Sequence, residues 1–240
     1  MVMVYCEGPT EWYVIRKLNK HGILNDARII NIDDAEAHIE NSPSKITESF
    51  IITRPREWKK FLFVYDQEDH SSPLDFVNKK FAHLSPWNQV NQNIFCRKLN
   101  DDRLIYLHVN DALSPNEYGD FDGYLIKLVN KLGSKSAQLI FRLLPEYIRQ
   151  TVNPPNVYSA IHQIGTLDIP ELMQHKGFPL QRSKGQIYAY ITASQVAKSH
   201  VWFAEKFIEM ALKNGFANYV QQVFNSLIEA WNRLIRGQYS

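Results

Sequence analysis

The chain has 240 residues, 45% of them apolar and 22% charged, with a net charge of +2. That composition supports a core and rules out wholesale disorder, and the length suits one large domain or a compact domain with a smaller companion. The mild charge gives no global pull on nucleic acid and leaves room only for a local basic groove.

The two cysteines, Cys6 and Cys96, lie far apart and have no CxxC spacing. Neither a zinc site nor a disulfide framework follows, and both read as buried thiols in strands of a cytoplasmic protein. No stretch approaches the roughly 20 apolar residues of a membrane span. The N-terminus, MVMVYCEGPTEW, lacks the basic and apolar segments of a signal peptide.

In chain order, Val2–Tyr5 is a short apolar strand closed by the turn signal Glu7-Gly8-Pro9. Thr10 is a candidate cap for a helix over Glu11–Lys20, whose apolar stripe is Val14, Ile15 and Leu18. Ala27–Ile32 reads as a strand ending at Asp33-Asp34, and Ser44–Ile52 as a short helix. Phe61–Tyr65 is a continuous apolar run that stops at Asp66, the pattern of a strand covered on both faces. Leu74–His83 is helical, and Ile94–Leu99 and Leu104–Val109 are strands able to pair through the turn at Asn100-Asp101-Asp102.

This alternation predicts an α/β fold with an open, mostly parallel sheet flanked by helices, over residues 1–115. From about Asn116 the pattern turns helical, over Phe121–Leu132, Ala137–Arg149, Lys198–Leu212 and Ala217–Ile235, so residues 116–240 are expected to form a helical C-terminal region for substrate or partner binding. Asn153-Pro154-Pro155 breaks it, and Gly177–Thr192 reads as a loop with one short strand, IYAYIT.

Two apolar strands end in carboxylates: Glu7 with Glu11 after the first, and Asp66-Gln67-Glu68-Asp69 after the second. Strand carboxyl ends are where open α/β sheets gather functional groups. Carboxylates crowded there repel by several kcal/mol at intermediate dielectric, on the order of the Coulomb energy at ~4 Å. A divalent cation relieves that repulsion, and hard oxygen ligands favour Mg²⁺, Mn²⁺ or Ca²⁺ over zinc. A helix N-terminus with favourable acids is the plainer reading of Glu7 and Glu11 taken alone.

VYCEGPTEWYVIRKL resembles the first motif of Toprim domains, a strand, a Glu-Gly pair and a second Glu opening a helix. FLFVYDQED resembles the second, a hydrophobic strand followed by Asp-x-Asp, with Glu68 or Asp69 standing for the second Asp. The resemblance covers roughly residues 1–110 and is nearest to the small stand-alone Toprim proteins of bacterial anti-phage systems, often encoded beside an ABC or OLD-like ATPase.

The resemblance implies a magnesium-dependent nuclease cleaving DNA or RNA, tRNA included. Glu7 and Asp66 would be catalytic, and Glu7, Glu11, Asp66, Glu68 and Asp69 would hold Mg²⁺ or Mn²⁺. Asp33, Asp34 and Asp111 are candidates for a further acid. The alternative is a non-catalytic Toprim-like subunit that binds and regulates the ATPase.

Beyond these motifs, His70 could ligate a metal and reads more simply as a loop histidine. Asp120 and Asp122 suit helix capping, and His162 and His175 have no metal-binding spacing. Lys184, Lys198 and His200 are candidate substrate contacts. With Gln181–Lys184, Arg233 and Arg236 set near Trp202, Phe203 and Trp231, they fit either a nucleic-acid groove or an amphipathic helical layer. The apolar C-terminal stripe fits core packing or a homodimer interface. No GxxxxGK[ST], GxGxxG or GxSxG motif is present, so an ATPase would be a separate chain.

Overall fold

A computed structural model describes residues 2–24, 29–31, 43–110, 120–151, 154–177, 183–196 and 198–239. The chain divides into two compact units, Met1–Asp111 with Phe224–Ser240, and Ala112–Val223.

The first unit is built on a six-stranded sheet of order β2-β1-β3-β6-β5-β4. Strands β1 (Val2–Cys6), β2 (Ile29–Asn31), β3 (Lys60–Asp66) and β6 (Leu104–Asn110) are mutually parallel. Strand β5 (Ile94–Lys98) runs antiparallel to β6, and the two-residue β4 (Asn88–Gln89) antiparallel to β5. The sheet is therefore mostly parallel, as expected, with an antiparallel edge at β5 and β4. Strands β5 and β6 are joined by a tight turn, too short for the crossover that parallel pairing needs. Asp102 takes a left-handed φ of 65° in that turn, a conformation Asp tolerates.

Phe61 to Tyr65 are all fully buried, as the unbroken apolar run implied. Alternate residues face opposite ways along a strand. Met3, Tyr5, Phe61, Phe63, Tyr65, Ile105, Leu107 and Val109 enter one aromatic-rich cluster with Phe76, Val77 and Phe81 from around helix α3 (Pro73–Lys80). Helix α1 (Pro9–Lys20) buries Val14, Ile15 and Leu18. Thr10 does not cap it: Gly8 is the N-cap and Pro9 occupies the first turn, where its fixed φ suits the helix and its missing N–H costs nothing. The Ser44–Ile52 region is a 3₁₀ turn, Pro43–Lys45, followed by helix α2 (Glu48–Ile52).

The second unit contains α4 (Asp122–Leu132), α5 (Ser134–Phe141), α6 (Glu146–Thr151), α7 (Pro154–Gln163), α8 (Ile169–His175), α9 (Ser183–Ala193), α10 (His200–Lys213) and α11 (Ala217–Val223). The two prolines expected to break the chain open α7, as first-turn positions allow. IYAYIT is helical in α9, not a strand. Its aromatic and β-branched composition suits strands, but Ile187, Tyr190 and Ile191 sit one turn apart and are buried together. A π-turn, Ile164–Asp168, joins α7 to α8. A Cβ on Gly165 would stand 2.9 Å from the Tyr190 Cα, so only glycine allows this approach to α9.

The last helix, α12 (Asn225–Arg236), belongs to the first unit, whereas a division into residues 1–115 and 116–240 was expected. Leu227, Ala230, Trp231 and Leu234 form its buried stripe. It lies against β3 and β6 and antiparallel to them: Ser226 meets His108, while the Ile235 carbonyl accepts from Lys60 and the Gln238 carbonyl accepts from Tyr106. Periodicity announces an amphipathic helix and says nothing about what it covers. Among the described residues no helix is long and apolar enough to cross a membrane.

Candidate metal centre

Three strand ends meet at one edge of the sheet. β1 leads into Glu7, β3 ends at Asp66 and β6 ends at Asn110, with Cys6 in register with Val64 and Asp66 with Asn110. The Glu7 amide donates to the Val64 carbonyl at 3.1 Å. Its carboxylate Oε2 accepts from the Asp66 amide at 3.0 Å, and Asn110 Nδ2 donates to Asp66 Oδ1 at 2.7 Å. The Gln67 amide donates to the Asn110 carbonyl at 3.0 Å, which carries the ladder one residue past the strand.

Glu11 lies in the first turn of α1 and is 5% exposed. Its carboxylate closes over Gly8, where an added Cβ would come within 3.1 Å of Glu11 Oε2. A side chain at the glycine of the Glu-Gly pair would crowd the second carboxylate where it now lies.

The loop after β3 folds on itself. Gln67, nearly buried, donates through Nε2 to the His70 carbonyl at 2.6 Å, and the His70 amide returns to the Gln67 carbonyl at 3.3 Å. Between them Glu68 adopts a φ of 55°, a left-handed conformation unusual for glutamate. Strain of this kind, of order 1–3 kcal/mol, persists where the surroundings enforce it and clusters at ligand sites. The result brings side-chain atoms of Glu68, Asp69 and His70 within 4.8 Å of one another, the one trio of acids and imidazoles this close among the described residues.

His70 is set by its neighbours. Its ring meets Phe76 edge-on at 5.4 Å, and its Nδ1 stands 3.5 Å from Asp75 Oδ2. Asp75 also accepts from Lys79 at 3.0 Å, and Lys79 holds its carboxyl below the usual carboxylate range. Lys80 Nζ stands 3.8 Å from Glu68 Oε2. A carboxylate behind a histidine and cations behind carboxylates are the outer contacts that orient metal ligands.

Of the five acids in the sequence motifs, Glu7 and Asp66 are joined at the sheet edge, Glu11 leans over Gly8, and Glu68 and Asp69 gather with His70. His70 and Asn110 are the members that sequence reasoning underrated or missed. The trio includes His70 because the loop turns back between residues 67 and 70, and Asn110 enters only through the β3–β6 register. Asp33, Asp34, Asp111, Gln181 and Arg182 lie outside the described residues.

The basic candidates belong to the second unit, apart from Arg233 and Arg236. Lys184 and Lys198 are exposed. His200 is mostly buried, with Nε2 3.3 Å from Asp122 Oδ1 and its ring 5.6 Å from that of Tyr188. Asp120, just ahead of α4, accepts from the Gly123 amide in its first turn at 2.9 Å. Burial first, and the neighbouring Asp122 second, push its pKa up to about 6. The buried Ser183 hydroxyl lies near enough to oppose that rise without reaching hydrogen-bonding geometry. Phe203 and Trp231 are fully buried, so they are core and offer no face to a base. Arg233 and Arg236 line a groove of about 420 Å³ with Asn225, Asn232 and Gln238, and Arg233 is paired with Glu229 at 2.9 Å.

Compared with models of protein families, with curated proteins and with solved structures, the chain matches none.

Proposed function

We propose that the first unit is a Toprim-like, metal-dependent nuclease that hydrolyses phosphodiester bonds. The observation that carries this reading is the hydrogen-bonded junction of Glu7 with Asp66 at the carboxyl ends of neighbouring parallel strands, followed directly by the Glu68–Asp69–His70 trio. Both acidic segments of the Toprim resemblance thus fall on one sheet edge, where such sheets bind ligands.

The donor set fits a divalent cation. Carboxylate oxygens suit Mg²⁺ and Mn²⁺, and one imidazole moves the preference toward Mn²⁺. Glu68, Asp69 and His70 would hold the ion, with Asp66 and Glu11 the other candidate ligands. With Nδ1 turned to Asp75, His70 would present Nε2. When bound, such an ion polarises a phosphoryl oxygen and lowers the pKa of a coordinated water. Lys80 would balance charge beside Glu68, and Glu7, tied to the Asp66 amide, would position Asp66 or move a proton. A role beside an ATPase in anti-phage defence rests on the resemblance alone.

The test is cleavage by the full chain of supercoiled plasmid, single-stranded DNA and total tRNA in Mg²⁺, in Mn²⁺ and in EDTA. The expected result is cleavage of at least one substrate in metal, faster in Mn²⁺, and none in EDTA. Cleavage that persists in EDTA would refute the reading, as would intact substrates in every metal.

A further inference from the structure

We infer that the groove along α12 binds the phosphodiester backbone of a single-stranded nucleic acid and leads it toward the cation edge. This inference rests on the nuclease reading, for which it names the surface that holds the substrate.

The groove, of about 420 Å³, follows one side of the helix. Asn225, Ile228, Glu229, Asn232, Arg233 and Arg236 recur along it at helical spacing, beside the buried stripe of Leu227, Ala230, Trp231 and Leu234. From Asn225 to Arg236 the helix rises roughly 16 Å. The Asn225 end lies toward the cation edge: the next residue, Ser226, meets His108, two places before Asn110 on β6. The Arg236 end lies toward the start of β3, where Lys60 donates to the Ile235 carbonyl.

The lining is polar and its charge is biased. Glu229, the acid among the described lining residues, has both oxygens occupied: Oε1 accepts from Arg233 Nε at 2.9 Å and Oε2 from Asn91 Nδ2 at 3.0 Å. Asn91 is itself fixed, since its Oδ1 accepts from the amides of Asn93 and Ile94. Arg236 is exposed, and no described residue forms a hydrogen bond or ion pair with its side chain or with those of Asn225 and Asn232. The end of the helix adds no competing acceptors. The Gly237 amide closes the Leu234 carbonyl at 3.0 Å, the Gln238 amide closes the Arg233 carbonyl at 3.1 Å, and Lys60 closes that of Ile235.

Guanidiniums and amides around one neutralised acid fit a ligand that is anionic and accepts hydrogen bonds. Phosphate oxygens match: a guanidinium binds them in forked pairs, and amides donate to them whatever base is attached. The donors are spread over about three turns of helix, which suits successive phosphates of a strand better than one free nucleotide. Trp231 is fully buried against the sheet, so the contact is with backbone and not by stacking on a base. Binding of this kind depends steeply on salt and little on sequence.

The experiment is fluorescence anisotropy of labelled oligo(dT) with the full chain in EDTA, where a bound cation plays no part, with circular dichroism to establish folding. The wild-type chain is expected to bind, with log affinity falling linearly against log salt. Arg236→Gln should weaken binding about tenfold, the size of one charge-assisted contact, and make the slope about 0.7 shallower, as loss of one contact to a single strand does. Glu229→Gln, which keeps an acceptor for Asn91 and removes the acid, should instead tighten binding several-fold. Folded variants of both kinds with wild-type affinity and slope would overturn the groove. A wild-type chain that binds no strand in EDTA would overturn it too, and the cation site would still stand or fall on Mn²⁺ binding alone. Displacement of the strand by adenosine monophosphate, at equal phosphate concentration and constant ionic strength, would overturn the strand in favour of a free nucleotide. Tighter binding of an oligo(dA)–oligo(dT) duplex would overturn the choice of a single strand.

Discussion

Asp66→Asn should lower metal-dependent cleavage by about three orders of magnitude while leaving the fold intact. Asp66 lies where the Glu7 junction and the Asn110 amide meet, directly before the loop of Glu68, Asp69 and His70. An amide there has the size of the carboxylate but neither its charge nor its second anionic oxygen. Stabilisation of transition-state charge by a bound cation is worth several kcal/mol, and about 4 kcal/mol corresponds to a factor of about 10³ in rate. The backbone contacts of residue 66 do not depend on its side chain: its N–H still reaches Glu7, and its place beside Asn110 in the ladder is kept. Cleavage rates measured in Mn²⁺, with thermal unfolding alongside, check both halves. A folded variant within tenfold of wild type would remove Asp66 from the chemistry.

Trp231→Ala should cost about 3–5 kcal/mol of stability, the range for truncating a large buried aromatic. Trp231 is fully buried on α12, inside the stripe of Leu227, Ala230 and Leu234 that faces the sheet. The helix adds no strand and closes no ladder, so its attachment depends on that stripe and a few polar contacts at its ends, from Ser226 to His108 and from Lys60 to the Ile235 carbonyl. A cavity in the middle weakens the attachment along its length. Urea titration of the wild-type and variant chains, followed by far-ultraviolet circular dichroism, gives the difference directly. A cost below about 1 kcal/mol would mean that the site collapses easily or that the helix contributes little.

The contrast between these two residues shows what is legible in the sequence. FLFVY followed by DQED announces both a buried strand and the acidic loop at its end. An unbroken apolar run must be covered on both faces, and a carboxylate cluster at its end has a cost that a ligand relieves. The α1 stripe of Val14, Ile15 and Leu18 is readable for the same reason: period 3.6 is a local property. Pairing is not local. Asn110 becomes a neighbour of Asp66 only when β6 lies beside β3, and nothing near residue 110 in the chain signals it. Likewise Trp231, which sits among basic residues as a nucleic-acid contact would, is core because α12 returns to a sheet more than a hundred residues earlier. His70 is hidden differently. A histidine after two acids is a common loop sequence, and its proximity to Glu68 and Asp69 depends on the left-handed turn at Glu68. IYAYIT misleads because composition favours a strand while its burial follows a helical face.

Everything proposed for this protein depends on a divalent cation binding at the edge that carries Glu7, Asp66 and the following loop. Anomalous diffraction from crystals of the full chain soaked in MnCl₂ decides the matter. The expected result is an anomalous peak in contact with Glu68, Asp69 or His70 and within reach of Asp66. Strong Mn²⁺ peaks elsewhere, with none at this edge, would refute the cation site and the nuclease reading built on it.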